Sequence, residues 1–234
     1  MGMKQNNCAI IVAAGNSTRM SLGFSKQFVL LCGIPAIVRT LSAFDKAARI
    51  DCVVVVCRDE DISQLNDCIK KYEIKKVIRV VPGGSTRQQS VAAGILAAPR
   101  EAACFAIHDG ARALITPDEI DAAVEDGLRF GASALAAPVK DTIKQIDESG
   151  FVVSTPERAT LWAVQTPQVF ERQIYFSAME QARKDGADYT DDCQLAENAG
   201  IRVHLCRGEY TNLKLTTMDD VALAETIIQK RENA

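Results

Sequence analysis

The chain has 234 residues, 47% of them hydrophobic, and its 27 basic and 30 acidic side chains give a formal net charge of −3. Such a length buries a core without disulfide or metal staples. The slightly acidic balance excludes a general nucleic-acid binder, and apolar stretches no longer than Ala9 to Ala14 or Val53 to Cys57 exclude a membrane-spanning helix, which needs about 20 apolar residues.

Met1 to Asn7 is short and polar, with no separate hydrophobic signal and no cleavage-type sequence, so the expected location is the cytoplasm. Next come Cys8 to Ala14, Cys52 to Cys57, Lys76 to Val81, Cys104 to His108 and Ala132 to Val139. These runs are short, apolar and bounded by Gly, Pro or charge, which predicts buried strands. Helical stripes lie between them: Ile37, Leu41, Phe44; Ile62, Leu65, Ile69; Val91, Ile95; and Ile120, Val124, Leu128. Thr116-Pro117-Asp118-Glu119 reads as a capping box, and Ser85-Thr86-Arg87-Gln88 as a second one directly after Gly83-Gly84. The alternation predicts an α/β fold: a doubly wound, mostly parallel, Rossmann-like sheet with helices on both faces.

From Lys140 to Pro167 the rhythm breaks, and the polar alternation around Asp147-Glu148-Ser149-Gly150 reads as a hairpin. The pattern resumes with helices over about Glu171 to Lys184 and from about Thr190, a strand at Arg202 to Cys206, and a helix from Thr217 onward. The expectation is one domain over 1–234 with an inserted β arm at 141–160.

Eight cysteines, none spaced as Cys-x-x-Cys, read as thiols in a reducing compartment. With only His108 and His204, a zinc site is improbable, and a Ser-His-Asp triad would have to use one of the two.

In a doubly wound sheet a ligand sits beyond the carboxyl ends of the strands. The first strand leads into Ala13-Ala14-Gly15-Asn16-Ser17-Thr18-Arg19-Met20, with Ser25-Lys26-Gln27 following. Small residues let amides approach a ligand, and Arg19 and Lys26 add two cations, so the loop suits a polyphosphate; the plainer alternative is a tight turn with solvated charges. Neither a P-loop nor G-x-G-x-x-G is present. The third strand leads into Gly83-Gly84-Ser85-Thr86-Arg87, where a helix N-terminus offers free amides and Arg87 and Ser90 share a turn; alternatively Ser85 is only a cap. The fourth ends in His108-Asp109-Gly110-Ala111-Arg112, and Asp109 is placed either to hold Mg²⁺ against phosphate oxygens or to cap the next turn.

The runs AAGNSTRM with Lys26, GGSTRQQSV, HDGAR, PVKDT, LWAVQTPQVF, TDDCQLAE and TNLKLTTMDDVALAE, in this order and spacing, resemble the 2-C-methyl-D-erythritol 4-phosphate cytidylyltransferase family from about Cys8 to Ile228. The resemblance implies a nucleotidyltransferase-type fold and a CTP site lined by Ala13, Ala14, Gly15, Arg19 and Lys26. Gly84, Ser85 and Ser90 would surround the cytosine, with Arg87 nearby. Asp109 matches the family's carboxylate for Mg²⁺. Thr190 and Lys214 would hold the polyol phosphate, with Arg112, Thr142 and Arg158 as further contacts. Arg19, Lys26, Arg158 and Lys214 are the cations that would stabilise charge during transfer. The family's habit of supplying arm residues in trans implies a homodimer. Ser17, where Gly is more frequent, Ser25, where Pro commonly precedes the Lys, and Thr211, where some members are acidic, depart from the pattern.

A phosphate monoester loses its second proton near pH 6, so the attacking oxygen needs no general base. The chemistry left is alignment and charge stabilisation by Arg, Lys and Mg²⁺. Three alternatives stand beside this reading: a cytidylyltransferase for ribitol 5-phosphate or another polyol phosphate, a dinucleotide-dependent oxidoreductase, and a non-catalytic nucleotide-binding protein.

Overall fold

A computed structural model describes residues 6–15 and 25–233. In chain order the first half contains β1 (Asn6–Val12), β2 (Leu30–Leu31), β3 (Ile34–Pro35), α1 (Ala36–Lys46), β4 (Cys52–Cys57), α2 (Ile62–Lys71), β5 (Val77–Pro82), α3 (Arg87–Ala97) and β6 (Ala102–Asp109). The second half contains α4 (Pro117–Phe130), β7 (Ala132–Pro138), β8 (Gln145–Ile146), β9 (Val152–Ser154), β10 (Trp162–Glu171), α5 (Arg172–Asp185), α6 (Asp192–Asn198), β11 (His204–Arg207) and α7 (Met218–Glu232).

The main sheet runs β11-β7-β10-β6-β1-β4-β5, parallel except for β10, which is antiparallel to both neighbours. This is the doubly wound α/β fold that the alternation predicts. Side chains alternate across β1: Ala9 and Ile11 pack with α1, α2 and α4, while Cys8 and Ile10 pack with α3, α5 and α6. Burial on both faces explains why β1, β4, β6 and β7 read as continuous apolar runs. The run at Lys76 to Val81 predicts a buried strand as well, but β5 lies at the sheet edge and is half-buried, with Ile78 exposed. A third apolar cluster joins Val29, Leu31 and Ala36 to Ala111, Ala113 and Leu114 and to Leu215, Val221, Ala224 and Ile228, so α7 braces the segment that follows Lys26.

Two other expectations need correction. The Thr116 capping box is present, but the cap of α3 is Thr86 and not Ser85: Thr86 Oγ1 accepts from Gln89 N–H, and Gln89 Oε1 accepts from both the N–H and the hydroxyl of Ser85. The box is thus shifted by one residue, with Thr86 as the cap and Gln89 three residues later reaching back to Ser85. Secondly, the irregular stretch does not extend to Pro167. Residues Trp162–Glu171 form β10, inside the sheet between β7 and β6. Its ladder with β7 passes from Val164↔Ala136 to Gln168↔Ala134, so Gln165, Thr166 and Pro167 bulge opposite Leu135 alone. The bulge accommodates a proline that has no N–H for the ladder.

The hairpin predicted around Asp147 is formed by β8 and β9, with Asp147 Oδ1 accepting from the N–H of Ser149 and Phe151. It lies at the surface, with Ile146, Phe151, Val152 and Val153 exposed. No described helix is long and apolar enough to cross a membrane.

Candidate active site

The chain fills β1, β4 and β5 on one side and then returns to place β6 on the other side of β1, so the order of strands switches between β1 and β6. A crevice opens at such a switch point. Here it is a cleft of about 290 Å³, lined from three strand-end loops by Val12, Ala14, Gly15, Gly84, Ser85, Thr86, Arg87, Ser90, Asp109 and Ala111, with Lys26, Gln27 and Lys214 closing it.

Local packing brings the loops together. Gly110 N–H donates to Val12 O and Gly83 N–H to Cys57 O, which tie the loops to β1 and β4. A Cβ on Gly83 would lie 2.5 Å from Ala14 Cβ, so the glycine permits the first and third loops to touch. Ser90 Oγ donates to Thr86 O and accepts from Gly84 N–H, which sets the amides of the loop ahead of α3.

Asp109 lies at the floor. Its Oδ2 is 2.7 Å from Lys214 Nζ and 3.8 Å from Arg112 Nε, and its Oδ1 is 3.9 Å from Arg87 Nε. Burial works to raise its pKa, but Lys214, Arg87 and Arg112 outweigh burial and hold it at about 2. The cleft therefore presents a local excess of cations in a chain of net charge −3, the arrangement that concentrates a polyanion. Lys26 Nζ also donates to Leu215 O, one residue from Lys214.

Behind Asp109, His108 is fully buried and neutral: desolvation pushes its pKa down to about 3. Its Nε2 faces Arg112 O at 3.3 Å and its Nδ1 faces Thr166 Oγ1 at 3.0 Å, while Asp109 N–H donates to Thr166 Oγ1. A carbonyl only accepts, so Nε2 carries the proton and Nδ1 accepts from the Thr166 hydroxyl. His108 is thus a satisfied core histidine and part of no triad. Asn212, with no exposed surface, completes the frame: its Nδ2 donates to Thr166 O and Gln165 Oε1, and its backbone carbonyl accepts from Arg112 Nη1.

Ala14, Gly15, Lys26, Gly84, Ser85, Arg87, Ser90, Asp109 and Lys214 therefore meet in one cleft, with Arg112 half-buried beside Asp109. Ala13 does not line it: its side chain packs in the core because β1 alternates, and its N–H donates to Val56 O. Arg158 is exposed at the base of the arm, donating to Lys140 O, and Thr142 is exposed on the arm. Thr190 is exposed just ahead of Asp191, the cap of α6. The cleft of this single chain contains none of these three. Arg19 and Ser17 lie outside the described residues. Ser25 is buried, and its hydroxyl caps nothing in the turn that follows. Thr211 accepts from Arg231 and is not acidic.

Thr166, Asn212 and Gln27 also build the site, although no motif in the sequence assigns them a role. Thr166 and Asn212 fall within LWAVQTPQVF and TNLK, and the signal there is an uncharged polar pair, Gln165-Thr166 or Thr211-Asn212, beside apolar residues.

A family model for IspD, 2-C-methyl-D-erythritol 4-phosphate cytidylyltransferase, matches residues 7–230. The chain belongs to this family. It is 39% identical over 226 residues to the 2-C-methyl-D-erythritol 4-phosphate cytidylyltransferase of Caldanaerobacter subterraneus, covering 96% of this chain and 100% of that one. It is 42% identical over 228 residues to the Clostridium novyi enzyme, covering 95% and 96%. Among solved structures, the 4-diphosphocytidyl-2C-methyl-D-erythritol synthase of Anaerococcus prevotii superposes with a TM-score of 0.86 at 29% identity, covering 97% of each chain. The Thermus thermophilus cytidylyltransferase gives 0.77 at 30%, covering 96% and 100%. As a cytidylyltransferase family member the chain is a nucleotidyltransferase enzyme of the isoprenoid pathway.

Among the described residues no three His, Cys, Asp or Glu side chains gather as a metal site. Among the described residues Asp109 is the one carboxylate lining the cleft. Mg²⁺ keeps several waters and is commonly held by one or two carboxylates plus substrate phosphates. The donor set therefore fits an ion carried in with a triphosphate.

Proposed function

We propose that the protein transfers the cytidylyl group of CTP to 2-C-methyl-D-erythritol 4-phosphate, giving 4-diphosphocytidyl-2-C-methyl-D-erythritol and pyrophosphate. The observation that carries this reading is the cation-rich cleft at the β1/β6 switch point in a chain that matches the family model almost end to end.

The acceptor phosphate, already dianionic at neutral pH, attacks the α-phosphorus of CTP; a new P–O bond forms as the bond to the departing pyrophosphate breaks. A proton acceptor is unnecessary, which agrees with a His108 that is buried, neutral and fully hydrogen-bonded. The protein's task is to bring two anions together and to stabilise the charge that moves onto the leaving group. Lys26 and Lys214 flank the cleft for that purpose, Arg87 and the loop at Gly84 and Ser85 receive the nucleotide, and Arg112 backs the acceptor side. Asp109 would hold Mg²⁺, which when bound neutralises phosphate oxygens. Arg19, in the first loop, adds a further cation on this reading.

Thr142, Thr190 and Arg158 enter the reading as contacts to the acceptor. The exposed apolar arm supports a homodimer in which Thr142 and Arg158 reach the partner's cleft, and free thiols at all eight cysteines agree with a cytoplasmic location. A pyrophosphate-release assay tests the function. Turnover is expected with Mg²⁺, CTP and methylerythritol phosphate, with CTP preferred over ATP and GTP. Activity with ribitol 5-phosphate alone would move the assignment to that acceptor.

A further inference from the structure

Arg87 has a second carboxylate behind it. Its Nε points toward Asp109, while its Nη1 lies 2.5 Å from Asp192 Oδ2. Asp192 is 3% exposed, and its other oxygen, Oδ1, accepts from the Tyr175 hydroxyl at 2.6 Å. Tyr175 is itself buried, between Phe105 and Phe170. Neither Asp192 nor Tyr175 lines the cleft, and they come from α6 and α5, elements distant in sequence from the loop they reach.

A buried carboxylate carries a large solvation cost unless it is paired, so the position calls for a reason. Capping is not the reason, because Asp191 caps α6 by accepting from Gln194 N–H. The backbone N–H of Asp192 is also satisfied without its side chain, donating to Gln168 Oε1. What the carboxylate does is pair with one nitrogen, Nη1, of the Arg87 guanidinium. A planar guanidinium drawn to a buried carboxylate at Nη1 is left with its Nε facing Asp109 and the cleft. Released, Arg87 would be free to close on Asp109, which already pairs with Lys214, or to swing toward solvent.

We infer that Asp192, oriented by Tyr175, is a positioning residue that clamps Arg87 in the cleft and so pre-organises it for the nucleotide triphosphate. The inference rests on the reading of the cleft as a CTP site. Neither residue touches substrate; both act through Arg87. Their removal loosens nucleotide binding and leaves the KM for methylerythritol phosphate unchanged.

The test is a double-mutant cycle read by calorimetric titration with CTP and Mg²⁺, with a thermal melt on each protein. Asp192→Asn is expected to raise the Kd for CTP about tenfold, the scale of one lost charge-assisted orientation. In an Arg87→Met background the same change is expected to add nothing. Tyr175→Phe keeps the ring in the core and is expected to raise the Kd about threefold, again only when Arg87 is present. It carries the test if Asp192→Asn does not fold. A Kd unchanged in Asp192→Asn, or raised equally with and without Arg87, overturns the clamp; so does wild-type affinity in Tyr175→Phe if that variant alone folds. A wild-type protein that does not bind CTP overturns the reading of the cleft, and the clamp with it.

Discussion

Lys214 Nζ lies 2.7 Å from Asp109 Oδ2, so residues from two distant motifs form one ion pair at the floor of the cleft. The pair has two consequences. Asp109 stays ionised throughout the physiological range, and Lys214 reaches the cleft with its charge directed by a fixed partner.

Replacement Asp109→Asn tests the first consequence. Activity is expected to fall and the Mg²⁺ requirement to rise, since the cleft loses a carboxylate that can share an ion with phosphate oxygens. In the wild type, Mg²⁺ without nucleotide is expected to leave the melting temperature unchanged, whereas Mg²⁺ with CTP raises it. A variant with the wild-type metal titration would show that Asp109 only anchors Lys214.

Lys26→Ala is expected to lower kcat by about 10² to 10³, the usual scale for one charge-stabilising donor, with the melting temperature little changed. Its side chain makes a hydrogen bond to Leu215 O that water can replace at the cleft's edge. An unchanged kcat would remove Lys26 from the mechanism.

His108 predicts a pH effect on stability. Its folded pKa, about 3, lies below the ordinary value of 6.5, so below pH 6.5 the unfolded chain takes up a proton that the folded one refuses. The stabilisation is complete above pH 6.5 and is lost as pH falls from there toward 3, by at most about 1.4 kcal/mol per pH unit. Urea midpoints between pH 7.5 and 4.5 measure it. His108→Asn is expected to be less stable at pH 7.5, and the gap to wild type is expected to narrow as pH falls. A constant gap would mean that His108 does not drive the slope.

The arm gives a test of assembly. A two-fold dimer makes the exchange mutual, so each cleft would combine one chain's Lys26 with the other's Arg158. When inactive Lys26→Ala and Arg158→Ala proteins are mixed and exchange subunits, each mixed dimer has one site with both lesions and one with neither, and roughly a quarter of all sites recover activity. No recovery after verified exchange, or a monomer by light scattering, would refute the shared site.

What the sequence determined by itself was the part written in local pattern. Continuous apolar runs such as Cys52–Cys57 and stripes such as Ile120, Val124 and Leu128 specify strands and helices because burial on one or both faces requires them. The three strand-end loops follow, because parallel strands direct their carboxyl ends to one edge, and Gly83, Asp109 and Lys26 stood out there as glycines and charges beside apolar strands. Tertiary structure decided the rest. β10 was hidden because Gln165, Thr166 and Pro167 look like a turn, and only a bulge between two neighbouring strands makes such a triplet compatible with the middle of a sheet. The pairing of Arg87 with Asp192, of Lys214 with Asp109 and of Thr166 with His108 likewise depends on the packing of elements well separated along the chain. A buried charge or hydroxyl takes its role from its partner, and residue spacing along the chain carries no record of which partner packing will supply.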